Sequence, residues 1–283
     1  MSTMLSSVKG AGLGLRRDLV GELQTTPKAN IDFMEVAPEN WMEIGGHLGR
    51  QFRYFTDRYP MLCHGLSLSI GSPAPLDEHF IVRLKKFLDK HRIAAYSEHL
   101  SYCGDAGHLY DLIPIPFTED AVAYVAERIQ RVQTILERPL IIENVSYYAA
   151  PGQVLSEIDF VQQVLTAADC QLLLDVNNVY VNSINHRYDP LAYIAAMPTE
   201  RIRYLHIAGH YDEADDLKVD THGADVIDPV WSLLTATYQQ HGVIPTLLER
   251  DFNIPPLSHL LKELDMIRHR QQAHQHPLQQ TLS

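Results

Sequence analysis

The sequence predicts an α/β fold, a single-domain closed (β/α)8 barrel, and three observations carry that expectation. Eight short apolar runs bounded by breakers recur along the chain, segments of helical periodicity lie between them, and no linker-like Pro, Gly or Ser run divides the whole. Alternating strands and helices imply a parallel sheet. Eight such units in 283 residues suit a closed barrel of the TIM type, which needs about 250 residues, better than an open doubly wound sheet.

The first expected strand is Gly10–Arg16, "GAGLGLR", whose glycines imitate a dinucleotide-binding loop only superficially. Asp32–Pro38, Met61–Ile70 and Ala94–Leu100 are the next three, with a helix over Asp77–His91 before the fourth. The clearest helix is Thr118–Glu137, where Val122, Val125, Ile129, Val132 and Leu136 recur at three- and four-residue steps. Pro139–Ser146, Cys170–Asn178, Ile202–Gly209 and Ile244–Asp251 complete the strands. Helices over Ser156–Ala168, Asp189–Met197, Asp228–His241 and Leu257–Arg268 alternate with them, several opened by an Asp or Ser able to cap the first turn. The barrel domain is expected to span residues 1–268, and the polar stretch 269–283 to be a disordered tail.

Composition narrows the function. A hydrophobic content of 46% supplies a substantial core, while a formal net charge of −12 offers no basic footprint for nucleic acid. The N-terminus lacks a continuous apolar segment and nothing approaches the length of a membrane span, so a cytoplasmic protein with no membrane partner is expected. Cys63, Cys103 and Cys170 fall in no CxxC arrangement, which argues for reduced thiols and against a thiolate zinc site.

In such barrels the reacting groups project from the C-terminal ends of the strands. Here those ends carry His64, His99, Glu143, Asp175, Asn177, His206, Glu249 and Asp251, each interrupting an apolar run. Asp175 and Asn177 are two residues apart, as are Glu249 and Asp251, which on an extended strand turns both members of each pair to one face. Any one of these residues alone would be an ordinary buried histidine or helix cap. Several carboxylates and imidazoles converging on one end are costly to bury without cations, so metal resolves the cluster. His64, His99 and His206 with Glu143, Asp175 and Glu249 form a mixed N/O set suited to iron, manganese or zinc. One ion does not need so many ligands. Two or more ions about 3.5–4 Å apart, bridged by a carboxylate, would use them.

In "KVDTHG" Asp220 and His222 alternate and can face one further ion, whereas Asp212, Glu213, Asp215 and Asp216 read as a solvated charge run. His186 and His210 stay open between ligand, substrate contact and supporting partner, and Asn144 and Asp251 read as substrate contacts or supporting partners. The residues alone reach a multi-metal barrel enzyme. They leave room for a divalent-metal sugar isomerase, a zinc phosphodiesterase, or a non-catalytic module that binds metal and peptide.

The combination of "HG" at His64, "SEHLSY" at Ser97–Tyr102, "ENVSYY" at Glu143–Tyr148, "LLLDVNNVYVNSINH" at Leu172–His186, "HIAGH" at His206–His210, "DTHG" at Asp220–Gly223 and "LLERD" at Leu248–Asp251 resembles the multinuclear non-haem iron-dependent oxidases. That family includes the methanobactin biosynthesis and bufferin-maturation oxidases, and "MEVAPENWM" and "GSPAPLD" look most like the latter branch. The resemblance runs from about Gly10 to Pro256. It implies two or three iron ions of mixed valence, dioxygen as cosubstrate, a cysteine-containing ribosomally made precursor peptide as substrate, and a separate partner protein that presents it. By motif, His64, His99 and Glu143 would bind one iron, and Glu143 would bridge to a second held by Asp175, His206 and Glu249. Asn177, Asp220 and His222 would serve a third. The chemistry would fall to Glu143, Asp175, His206 and Glu249.

Overall fold

The computed structural model describes residues 8–104 and 108–275. Among these the strands, in chain order, are β1 (Ala11–Gly14), β2 (Phe33–Val36), β3 (Met61–Gly65), β4 (Ala95–His99), β5 (Ser101–Gly104), β6 (His108–Pro114), β7 (Ile141–Glu143), β8 (Gln171–Asp175), β9 (Ile202–Ile207), β10 (Tyr211–Ala214), β11 (Leu217–Val219) and β12 (Thr246–Leu248). Eight of them close a parallel barrel in the order β1-β12-β9-β8-β7-β4-β3-β2. The other four form two antiparallel hairpins, β5–β6 and β10–β11. The predicted barrel is therefore the observed one, with its strands in chain order around the wall.

Of the Asp and Ser residues that open the expected helices, Asp77, Ser156 and Asp189 accept from the Phe80, Asp159 and Leu191 backbone N–H groups, Thr118 does the same for Ala121, and Asp228 instead lies inside its helix, which Ile227 opens without a side-chain cap. Val122, Val125, Ile129, Val132 and Leu136 are all buried, as their spacing requires.

Inside the barrel the strands build in layers. Phe33, Leu62, Ala95, Ile141, Leu173, Tyr204 and Leu247, one from each of seven barrel strands, pack with Val8 into one cluster, separate from the core between sheet and helices. The remaining strand places Gly12 at this level, where a Cβ would stand 2.4 Å from the Phe33 ring. Side chains alternate along a strand, so the residue two positions on from each faces inward one layer higher. Those residues are Glu35, His64, Ser97, Glu143, Asp175, His206 and Glu249, all buried. A hydrophobic plug thus carries a polar floor above it.

Several expectations change. The strands are shorter than read, and Cys170–Asn178 ends at Asp175. Asn177 lies in the first turn of a helix, Val176–His186, because Asp175 caps that helix by accepting from Asn178 N at 2.6 Å. Asp175 and Asn177 therefore do not share a strand face. Glu249 and Asp251 lie just past β12. The segment from Tyr211 to Val219 is a hairpin with an exposed first strand, not a loop, and its acidic residues are solvated as expected. His222 is not extended; its φ is 49°. A further helix at Gly46–Thr56 lies between β2 and β3. The last helix runs to His274, six residues past Arg268, because Gln271 turns inward and donates to the Gly10 carbonyl at 3.0 Å. The rest of the expected tail, from residue 276, lies outside the described residues. No helix among the described residues is long and apolar enough to cross a membrane, and the three cysteines are free and buried.

Candidate metal centre

The polar floor gathers three groups of ligand atoms. In the first, His64 Nε2 and His99 Nε2 are 3.1 Å apart and lie 3.1 and 3.2 Å from Glu143 Oε2. Their other ring nitrogens are tied down. His64 Nδ1 meets Ser97 Oγ at 2.7 Å, and His99 Nδ1 donates to the Gly65 carbonyl at 2.9 Å. In the second group, His206 Nδ1 lies 2.7 Å from Glu249 Oε2, 3.7 Å from Glu143 Oε1 and 3.9 Å from Asp175 Oδ2. The third joins His222 Nδ1 to Asp251 Oδ2 at 3.3 Å and Glu249 Oε2 at 3.4 Å. Glu143 and Glu249 each belong to two groups, so the three form a chain linked by shared carboxylates.

The donor set fits metal on its own terms. Glu143 Oε2, Asp175 Oδ2, His206 Nδ1 and Glu249 Oε2 are buried without a hydrogen-bond partner. They belong to four residues whose ligand atoms all lie within 4.8 Å of one another. Buried polar atoms are satisfied in roughly nine cases of ten, so four unsatisfied ones converging on one place mark a position that a cation completes.

Electrostatics agree. Burial opposes a charge on His206, yet Glu249 and Glu35 outweigh it and hold the imidazole well above its usual range. His222 is raised against burial by Asp220 and Glu249. Burial likewise opposes charge on His99, but Glu143 and Glu98 lift it to about 9. Burial, with Glu143 beside it, pushes Asp175 up to about 8. Without metal, protons stand in as the cations.

That has a pH consequence with a definite sign. Groups whose folded pKa exceeds the unfolded value stabilise the fold at low pH and lose that contribution as pH rises. Metal-free protein is expected to lose thermal stability between about pH 6.5 and 9 as His99 deprotonates, and Asp175 acts in the same direction up to about 8. Each proton released contributes about 1.4 kcal/mol per pH unit. His64, which burial and His99 hold down to about 3, has the opposite sign but titrates below this interval. Metal uptake displaces the same protons, so affinity rises over the interval. Melting of loaded and metal-free protein across this range checks both, and a constant gap between them would contradict the assignment.

The structure brings most of the sequence-predicted residues together. Asn177 donates to Asp220 Oδ1 at 3.0 Å, and that oxygen lies 2.7 Å from His222 Nε2. His222 therefore stands between two sets, Asp220 with Asn177 on its Nε2 side and Asp251 with Glu249 on its Nδ1 side. His210 Nδ1 meets Asn177 Oδ1 at 2.8 Å and so supports this outer edge. Asn144 clamps Asp175, donating to its carbonyl and accepting from its N–H. His186 is apart from the centre: it stacks on Tyr147 at 3.9 Å between ring centroids and bonds the Tyr147 carbonyl. Asp225, His259 and Glu263 also cluster, but the Arg250 guanidinium already neutralises Asp225 and Glu263.

Three supporting residues escaped the sequence reading: Glu35, Ser97 and Tyr204. The signal for Glu35 was its place two residues after Phe33 in an apolar strand, the same phase that puts His64 after Leu62. Above the centre opens a cavity of about 850 Å³ whose walls include Arg16, Leu66, Leu112, Ile113, Tyr148 and Phe252. Leu66, Tyr148 and Phe252 are partly exposed, giving the entrance an apolar lining.

Comparison with known proteins follows the same outline. Residues 10–272 match the family described as RiPP precursor modification enzyme MbnB/TglH/ChrH. A UPF0276 protein of Shewanella amazonensis is 65% identical over 263 residues, covering 93% of this chain and 95% of the relative. One from Pseudomonas aeruginosa is 61% identical over 265 residues, covering 93% of both. Among solved structures, endonuclease IV from Thermus thermophilus superposes with a TM-score of 0.62 at 14% identity, covering 93% of this chain and 99% of that one. D-psicose 3-epimerase from Clostridium cellulolyticum does so at 0.57 and 14%, covering 94% and 96%. At such identities these two speak for the barrel fold alone.

Proposed function

Because the chain belongs to the family of RiPP precursor modification enzymes MbnB/TglH/ChrH, we propose that it is a multinuclear non-haem iron-dependent oxidase that uses dioxygen to modify cysteine residues of a ribosomally synthesised precursor peptide. The observation that carries the multinuclear part is the chain of three ligand groups joined through Glu143 and Glu249. The sulfur-free N/O donor set favours iron over thiolate-loving metals.

Iron would supply the redox change and the reactivity toward dioxygen that side chains lack. His64, His99 and Glu143 would hold one ion, and Glu143, Asp175, His206 and Glu249 a second. A third would sit at His222, with Glu249 and Asp251 or with Asp220 and Asn177. The chain's own work is to fix and screen the centre. Glu143 is shared by two groups, the Leu173–Tyr204 layer closes the floor against water, and the apolar entrance at Leu66, Tyr148 and Phe252 accepts a peptide segment. A pocket of about 300–1,000 Å³ is the usual size for enclosing a ligand, and this one lies at its upper end. A separate partner protein would present the precursor.

The test is mass spectrometry of a cysteine-containing precursor incubated with iron-loaded protein, its partner, reductant and oxygen. A mass change that needs both iron and oxygen is the expected result. Anaerobic turnover of a sugar with manganese or zinc would instead favour an isomerase, and peptide binding without mass change a binding module. His222→Ala is expected to lower metal content by at most one ion, lost first on mild chelation, because this ligand sits on a loop while His64, His99, Glu143, Asp175 and His206 sit on strands. Full retention of metal in that variant would remove His222 from the ligand set.

A further inference from the structure

Beneath the first two ligand groups runs a buried polar line, hydrogen-bonded from Glu35 through Tyr204 and Ser97 to His64 and reached at its other end by a close His206–Glu35 approach. His206 Nε2 lies 2.9 Å from Glu35 Oε1, and Glu35 Oε2 accepts from the Tyr204 hydroxyl at 2.7 Å. The same hydroxyl lies 2.6 Å from Ser97 Oγ, and Ser97 Oγ lies 2.7 Å from His64 Nδ1. Five residues of four strands, Glu35 of β2, Ser97 of β4, Tyr204 and His206 of β9 and His64 of β3, are thereby tied across the barrel beneath the centre.

The direction of every proton in this line follows from one end. A carboxylate only accepts, so Glu35 takes a proton from His206 Nε2 and another from Tyr204. Having spent its hydrogen on Glu35, Tyr204 accepts from Ser97. Ser97, having spent its own, accepts from His64 Nδ1–H. In their neutral, metal-binding form both histidines therefore carry their proton on the nitrogen that faces this line. The lone pairs left free are His206 Nδ1 and His64 Nε2, the two atoms turned toward Glu143.

We infer that Glu35, Tyr204 and Ser97 are positioning residues that set the tautomers of His206 and His64 together, so that one hydrogen-bonded line orients ligands of two neighbouring metal positions. The inference rests on the reading of the centre as a metal site, and not on the identity of the metal or on oxidase activity. Partners of this kind commonly change metal affinity about 10- to 100-fold when removed.

The experiment uses the full chain and zinc or cobalt(II) as probes, so that no turnover is needed. Tyr204→Phe keeps the ring that fills the barrel floor and removes only the hydroxyl. It is expected to weaken two positions, each about 10- to 100-fold by competition with a chelator, and to change the cobalt absorption spectrum. Ser97→Ala should weaken only the position held by His64, Glu35→Gln chiefly that held by His206, and Ser97→Thr should restore wild-type affinity. Nitrogen-15 spectra of the zinc-loaded wild type give a reading that needs no variant: protons are expected on His64 Nδ1 and His206 Nε2. The opposite tautomers, or a Tyr204→Phe protein with wild-type zinc affinity and cobalt spectrum, would overturn the inference while leaving the metal centre standing. A wild-type chain that takes up neither zinc nor cobalt would overturn the centre and the inference with it.

Discussion

Glu143→Ala is expected to empty more than one metal position and to abolish modification of the precursor. Glu143 closes β7, and its two oxygens face different groups: Oε2 meets His64 and His99, while Oε1 faces His206. A terminal ligand serves one ion, whereas a carboxylate in this position would serve two. Removing it also relieves a neighbour. The Glu143 carboxylate is the second cause, after burial, that holds Asp175 up near 8, so the Asp175 pKa should fall in the variant. The barrel itself should survive, because the apolar layer beneath is untouched. Metal counting by mass spectrometry decides the matter: loss of two or more equivalents is expected, and loss of a single one would reduce Glu143 to a terminal ligand. Asp215→Ala, on the exposed hairpin turn, is the matched control and should leave metal content unchanged.

Zinc in place of iron is expected to preserve the fold and remove the activity. The N/O set at His64, His99, His206 and the carboxylates accepts zinc readily, so the exchanged protein should melt like the iron form. Zinc has no accessible redox change, so an oxygen-dependent modification stops. A zinc-loaded, iron-free preparation that modified the peptide at the full rate would end the oxidase reading and return the isomerase or hydrolase alternatives to the front. Measuring melting temperature and peptide mass on one preparation separates loss of chemistry from loss of structure.

Much of the site was legible because a barrel strand has a period of two. Once Leu62, Ile141, Leu173 and Leu247 are read as inward, His64, Glu143, Asp175 and Glu249 must follow inward one layer higher, and the sequence shows polar residues at each. Ser97 hid within the same phase because a lone serine in a strand carries no signal of its own. Glu35 hid because a single acid in "DFMEVAP" reads as a strand end. The sequence pattern puts Asn177 on a strand, and the structure puts it on a helix. Asp175 both faces the centre and caps the helix that begins at Val176, and local pattern does not show where a strand gives way to a helix when one residue serves both. The hairpin at Tyr211–Val219 was lost in its charge, because a solvated two-stranded ribbon needs no apolar alternation.

The sequence by itself determined the barrel and the residue types that gather at one end of it, since alternation and breaker placement are local properties of the chain. Only the tertiary structure decided which oxygen of Glu143 meets which histidine, that Glu249 is shared as well, and that His222 stands between Asp220 and Asp251. It also revealed the line from His206 through Glu35, Tyr204 and Ser97 to His64. Those relations join residues far apart in the chain, such as Glu35 and Tyr204, 169 positions apart. They depend on closure of the sheet, which sets strands distant in sequence side by side or face to face across the barrel. No periodicity along the chain encodes which side chains then meet.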